Sequence, residues 1–377
     1  MADSNSENVD LIAELSREAE QEEEIRTGSS SYLTHVDSRN LVNREREYRD
    51  LEKQWVRHQW RTSVSAVVAK NGRPARYLTL PAYYRLDISL FNETGLLATK
   101  TIDGVEVLEV AAFETDPTKY ARMVGHQPPL LLFGNTPIED ALVDHDNRYY
   151  AELASLFPFD VVNLDLTTSL TPKHEGPFSK IMQAIEQVML RQATHVGEWA
   201  LFLTFRNVLD EWQTMALNAF VENMQENIDK YPRVRDAFTD RYPSARVQTA
   251  METEAERCVA QCVLKWLVDR AHYHHMQLVD SVSYHYTRYP GIGRYDITKL
   301  VTRFSRGSLT DKVIPMKESP VETWVEADLV GCVQKNKFAN VEDILLGGPE
   351  ERLISITEEI SRLANLIDED SGARIEL

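Results

Sequence analysis

Residues 157–170, FPFDVVNLDLTTSL, constrain this chain more than any other stretch. Phe159, Val161, Val162 and Leu164 form a short, nearly continuous apolar run, without the polar stripe of a strand that faces water on one side. A strand buried on both faces of a parallel sheet reads this way. Asn163 and Asp165 stand where the run gives out. A turn-rich segment over 167–176 then leads into a long helical pattern. Polar residues at the carboxyl end of such a strand occupy the edge where open α/β sheets bind ligands.

Other segments repeat the alternation. Strands are expected over 76–80, 105–113, 130–133 and 199–205. Helices are expected over 83–97, from Pro117 through PTKYARMV, over 147–156 and over 178–194. Strands separated by single helices imply crossover connections and a parallel sheet. Beyond Phe205 the pattern is helical at 208–230, 234–241 and 253–272. Two alternating runs, 277–289 and 295–304, then flank a PGIGR turn and read as an antiparallel hairpin. The expected fold is α/β: a mainly parallel, twisted sheet closed by that hairpin, with helices on both faces and helical extensions at both ends.

Three divisions follow. Residues 1–62 read as an acidic tail and a charged helix whose charges are solvated. Residues 63–310 are the α/β domain, with a helical insertion over 207–272. Residues 311–377 are an acidic extension with a helix near 349–368, apolar along one stripe. The net charge is −18. Residues 1–62 carry nine Lys/Arg against fourteen Asp/Glu, and 311–377 carry seven against fifteen. Nucleic-acid binders usually gain affinity by neutralising phosphates, so this balance argues against tight, sequence-independent binding by the chain alone. It suits a basic protein partner, through which nucleic acid could be reached. No run approaches the ~18 apolar residues of a membrane span. Three cysteines and no signal-like N-terminus point to a reducing cytoplasm.

Five βα units finished by a β-hairpin resemble the class I S-adenosylmethionine-dependent methyltransferase fold, over roughly residues 76–305. In that family an acid ends the second strand and binds the ribose hydroxyls. Glu114, in AAFETDP, matches it, with Asp116 as the alternative. A carboxylate accepts two hydrogen bonds from a vicinal diol. Past the third strand the resemblance places Ile138, Glu139 and Asp140 around the adenine. After the fourth strand, Asn163 and Asp165 hold the position facing the methyl acceptor, in an NLDL that resembles the Asp-Pro-Phe-Gly turn of tRNA guanine methyltransferases without its Pro and Gly. The family's first strand runs into a glycine-rich loop that lets backbone approach the cofactor. Here 77–89, YLTLPAYYRLDIS, has no glycine, and Leu80 and Pro81 stand in the loop's place. The resemblance therefore implies S-adenosylmethionine as cofactor and methyl transfer as activity. The departure leaves a catalytically inactive structural or regulatory subunit as the alternative.

Each of these residues also has a structural use. Glu114 could cap the helix at Pro117. Glu139 and Asp140 could be first-turn acids of a helix, and Asn163 and Asp165 could bond the 167–171 turn. Cys258 and Cys262, with His272, His274 and His275 downstream, lack the spacing of a known zinc finger and read as core thiols. In the 277–306 hairpin, Arg288, Arg294, Lys299, Arg303 and Arg306 interleave with Tyr284, Tyr286, Tyr289 and Tyr295. That mixture can bind single-stranded nucleic acid, and it is also what two half-wet strands look like. There is no nucleotide-binding P-loop, metalloprotease or serine-hydrolase motif.

Overall fold

The computed structural model describes residues 51–81, 85–124, 128–166, 168–176, 178–287, 297–306, 321–347 and 358. A long helix, α1 (Leu51–Asn71), leads into β1 (Tyr77–Thr79) and α2 (Leu86–Glu93). A hairpin of β2 (Thr99–Ile102) and β3 (Val105–Glu114) follows, then α3 (Pro117–Val124) and β4 (Leu130–Gly134). Helices α4 (Ile138–Val143) and α5 (Tyr150–Leu156) precede β5 (Val161–Asp165), α6 (Lys180–Gln192) and β6 (Glu198–Arg206). Three helices come next, α7 (Thr214–Lys230), α8 (Pro232–Thr239) and α9 (Val247–Tyr273). The chain returns to the sheet as β7 (Met276–Tyr286) and β8 (Ile297–Arg306), and α10 (Val321–Lys335), β9 (Asn336–Asn340) and α11 (Val341–Gly347) complete the described part.

Among the described residues one sheet holds all nine strands. Its central order is β4-β3-β1-β5-β6-β8-β7, with β9 outside β7. Pairing is parallel between β4 and β3, β3 and β1, β1 and β5, and β5 and β6. Renumbered along that series, the strands run 3-2-1-4-5, the order of doubly wound α/β folds. The β7–β8 hairpin closes the sheet: β8 slots between β6 and β7 and runs against both. Side chains alternate across the sheet, so each face has its own core. On one face Leu78, Phe133, Val162, Leu164 and Trp199 pack with α4, α6, α7 and α9. On the other, Tyr77, Val110, Val161, Phe202 and Val301 pack under α1 and α2. Within β5 this alternation sends Val162 and Leu164 to the first face and Val161, Asn163 and Asp165 to the second.

Three expectations need correction. The charged helix does not stop at residue 62: α1 continues to Asn71, and Trp60, Val64 and Val67 are buried against the sheet. Trp60 stacks on Phe202 with centroids 5.2 Å apart and planes 7° apart, and Trp55 meets Tyr284 edge-on at 5.2 Å. Its charges are not all solvated either, since Arg57 is buried. The stretch beyond residue 310 is not purely helical, because Asn336–Asn340 adds a strand parallel to β7. The first α/β helix is also shorter than 83–97, spanning Leu86–Glu93. The expected N-terminal tail and the helix near 349–368 lie outside the described residues, apart from Glu358.

Candidate functional site

The chain leaves β1 toward β3 and β4, then returns on the other side of β1 to form β5 and β6. Between β1 and β5 the crossover direction therefore reverses. At such a switch point the connecting loops part and leave a crevice at the carboxyl ends of the strands. Thr79 and Asn163 are direct partners at this point. Asn163 Nδ2 donates to Thr79 Oγ1 at 3.2 Å, and Thr79 Oγ1 donates to Asp87 Oδ2 at 3.0 Å. The Tyr77 hydroxyl donates to the same Asp87 oxygen at 2.6 Å. All four side chains are buried. Burial, together with the Asp87 carboxylate, pushes the Tyr77 hydroxyl well above the usual tyrosine range. Asn163 Oδ1 has no hydrogen-bond partner among the described residues. An orphaned buried acceptor costs about 1–3 kcal/mol, so it marks a place where stability is not optimised.

The loop after β1 is unusual in its backbone. Leu80 is half-buried and Pro81 buried, residues 82–84 lie outside the described set, and Arg85 opens α2 at φ 49° and ψ 33°. A side chain held in that left-handed region costs of order 1–3 kcal/mol, and such residues cluster at functional turns. The conformation that glycine adopts freely is thus taken here by an arginine. Arg85 is buried and donates to the Pro128 carbonyl at 3.0 Å. Burial pulls its guanidinium down to about 10, with Asp87 acting in the opposite direction.

Glu114 ends β3, beside Gly134 at the end of β4. Its Oε1 accepts the Asp116 backbone N–H at 2.8 Å. Asp116, not Glu114, bonds the first turn of α3: its Oδ1 accepts the N–H groups of Thr118 at 2.8 Å and Lys119 at 3.2 Å. Glu114 is only half-buried, and its second oxygen takes no hydrogen bond from the described residues. The Tyr120 ring lies over Gly134, where an added Cβ would come within 2.4 Å of it. Only glycine permits that approach. Ile138 is buried in the core of the first face. Glu139 and Asp140 are first-turn acids of α4. Burial pushes the Glu139 carboxyl up, while Asp140 forms an ion pair with Lys180.

Asp165, at the end of β5, lies 3.7 Å from Lys299 Nζ on β8, with one-third of its side chain exposed. Burial pushes its carboxyl up, but Lys299, Lys53, a hydrogen bond with the Thr204 side chain and Arg57 together outweigh burial and hold it below the usual carboxylate range. Asp165 is therefore ionised at neutral pH. Lys299 is buried, with its ammonium 4.7 Å from the Trp60 ring and 5.9 Å from that of Tyr286. The structure thus brings Asn163 and Asp165 onto one face of one strand and sets Glu114 two strands away. Ile138, Glu139 and Asp140 sit on α4, beyond β4. Sequence reasoning passed over Thr79 and Asp87, and it read Lys53 and Arg57 as solvated. Asp87 carried a signal, as a lone acid in the apolar stretch LDISLF.

The hairpin's aromatic and basic residues are largely used inside the protein. Tyr284 and Tyr286 are buried. Arg303 bridges Glu198 at 3.1 Å and Asp280 at 3.4 Å. Arg288, Tyr289, Arg294 and Tyr295 lie outside the described residues. Cys258 and Cys262 are buried with Cys332, whose Sγ is 3.3 Å from Gln261 Nε2. Among the described residues no group of three or more His, Cys, Asp or Glu is arranged to hold a metal ion. None of the described helices is long and apolar enough to cross a membrane.

Residues 138–309, from α4 through the closing hairpin, match a protein family described as PP_RS20740-like. No curated protein matches the chain. A solved structure similar to part of it is the 1,6-didemethyltoxoflavin-N1-methyltransferase of Burkholderia thailandensis, crystallised with 1,6-didemethyltoxoflavin and S-adenosylhomocysteine. The two are 16% identical over 65% of this chain and 77% of that one, with a TM-score of 0.28.

Proposed function

We propose that this chain binds S-adenosylmethionine across the carboxyl ends of β1 and β3 and transfers its methyl group to an acceptor held beyond β5. One observation carries the reading: Glu114 presents a carboxylate with an uncommitted oxygen at the end of the second strand of a 3-2-1-4-5 sheet closed by a reversed hairpin. A ribose diol needs such an acceptor pair. The donor set fits that part of the cofactor. The cofactor supplies an electrophilic methyl on a sulfonium, so the protein's work is positional and electrostatic. Glu114 holds the diol. Leu80 and Pro81 form the wall of the loop. Asn163 and Asp165 set the polarity of the acceptor's side. An ionised Asp165 serves there as a fixed negative charge that orients a donor group on the acceptor.

A second reading is that the domain catalyses nothing and acts as a structural or regulatory subunit. It is favoured by the engagement of Asn163 with Thr79 and of Asp165 with Lys299. Calorimetric titration with S-adenosylmethionine and S-adenosylhomocysteine tests the first reading. The expected result is a dissociation constant in the micromolar range, about −8 kcal/mol, lost in Glu114→Ala. No heat from either ligand at millimolar concentration overturns it. Binding without methyl transfer to any acceptor offered would leave the second reading standing.

A further inference from the structure

His285, near the end of β7, is buried in a row of polar side chains that crosses the sheet. Its Nδ1 lies 3.0 Å from Thr298 Oγ1 on β8, and the same oxygen accepts from Asn207 Nδ2 at 2.9 Å, just past β6. Asn207 Nδ2 also donates to the Glu256 carbonyl of α9 at 3.0 Å. His285 Nε2 has no hydrogen-bond partner among the described residues. The neighbouring strand β9 lays Phe338 on the ring, with centroids 5.8 Å apart and planes 25° apart. Arg257 of α9 lies 4.8 Å from the Phe338 centroid, and Tyr242 meets Phe338 edge-on at 6.5 Å.

Nothing described around this ring suits a proton on it. Arg257 is the cation that bears on His285, and Glu254 is already paired with Arg257. Lys299 and Lys337 stand one residue from Thr298 and Phe338, so they point to the opposite face of the sheet. Lys335 of α10 donates to the Leu278 carbonyl, toward the other end of β7. Both nitrogens of an imidazolium are donors, and Nε2 meets no acceptor. Burial, helped by Arg257, pulls the ring down to about 3. The element best able to give way is β9. Among the described residues it pairs on one side only, with β7, and Asn336 is its one buried residue. Asn336 Oδ1 accepts from Ser281 Oγ at 3.2 Å and Ser283 Oγ at 2.9 Å. Past that anchor the strand rests on its ladder and on the Phe338 stack.

We infer that β9 is a pH-sensitive latch: Phe338 seats the strand over a neutral His285 ring, and protonation of that ring releases it. With the strand closed, the ring refuses a proton; with it open, the ring takes one near the ordinary value of about 6.5. The closed form therefore has its full advantage above about pH 6.5 and loses it progressively as the pH falls toward the folded value. The latch does not depend on the methyltransferase reading.

Hydrogen exchange of the full chain, expressed as protection factors between about pH 6 and about pH 4.5, tests it. Protection of Lys337 to Asn340 should fall by about tenfold per pH unit, while that of Trp199 to Phe205 in β6 holds. In His285→Gln the β9 protection should change less than about twofold over the same range. Circular dichroism checks the variant's fold. Should it fail to fold, the His285 ring signal of the wild type in NMR decides: it should stay neutral through about pH 5 wherever β9 is protected. Protection of β9 that is independent of pH, an equal fall in β6, a fall that persists in His285→Gln, or a ring that titrates near about pH 6.5 under a closed strand would overturn the inference.

Discussion

The two edges of the sheet are built on opposite plans. At the amino edge, buried Asp160 accepts from Arg73 through both guanidinium nitrogens at 2.8 Å, and from the Arg76 backbone N–H at 2.8 Å. Asn71 Nδ2 donates to it at 3.1 Å, and His195 Nε2 lies 3.0 Å away. Asn71 also bonds both backbone groups of Glu198, tying the end of α1 to the start of β6. At the carboxyl edge, Asn163 Oδ1 has no hydrogen-bond partner among the described residues, Arg85 is held in a left-handed backbone conformation, and Asp165 pairs loosely with Lys299. One edge spends most of its polar groups on holding the strands together, although His195 Nδ1 there has no hydrogen-bond partner among the described residues. The other combines an amide oxygen without a partner among the described residues, a loose ion pair and a strained backbone position.

The largest effect is expected where the closed edge is broken. Asp160→Ala leaves Arg73 and His195 without their buried counterpart and should cost about 3–5 kcal/mol in urea unfolding at pH 7. Burial pushes the Asp160 carboxyl up, but His195, the Arg76 N–H and Arg73 outweigh it and hold it below its ordinary value. A carboxyl lowered in the folded state contributes stability that is present above its unfolded pKa and lost as pH falls through the folded one. The gap between wild type and Asp160→Ala should therefore narrow on acidification below about pH 4. An unchanged gap would show that the network is not what the charge sustains.

Next comes Gly197, at φ 102°, where an added Cβ would stand 2.2 Å from Asn71 Oδ1. Gly197→Ala must displace Asn71 and also strain the backbone, and should cost about 2–3 kcal/mol. A loss below ~0.5 kcal/mol would mean that Asn71 is not locked.

How far the sequence foretold these edges depends on how each residue type is used. Strands β5 and β6 were plain because both faces are buried and their apolar runs are continuous. Strands β2 and β9, TKTI and NKFAN, escaped notice because the first is exposed along its whole length and the second mixes polar residues with a single buried anchor, Asn336. The carboxyl-edge residues Glu114, Asn163 and Asp165 were legible because polarity at a strand's end is a local signal. The amino-edge hub was not. Asp160 sits inside an apolar run, and its partners Asn71, Arg73 and His195 are distant in sequence, brought together only by the crossovers. Lys53 and Arg57 looked solvated because a charge pattern on a helix does not tell which turn the sheet will cover.

A smaller effect distinguishes the open edge. Asn163→Leu removes an orphaned acceptor along with a single 3.2 Å bond. Its stability should change by less than about 1 kcal/mol, and its S-adenosylmethionine affinity should be kept, because Asn163 faces the acceptor's side. A loss as large as that of Asp160→Ala would erase the distinction between the edges. Smallest of all is Glu114→Gln, half-buried at the rim, which should leave unfolding within about 0.5 kcal/mol of wild type. Denaturant titration of both variants beside ligand titration checks the pair.

Hydrogen exchange of the full chain with and without saturating S-adenosylhomocysteine tests the contrast most directly. The expected result is ligand-induced protection confined to the carboxyl edge, around Leu80 and Pro81, Glu114 to Asp116, and Asn163 to Leu166. The amino edge around Asn71 to Arg76, Asp160 and His195 to Glu198 should be equally slow in both states. Protection centred on the amino edge, or none at the carboxyl edge under conditions where binding is saturated, would contradict the account.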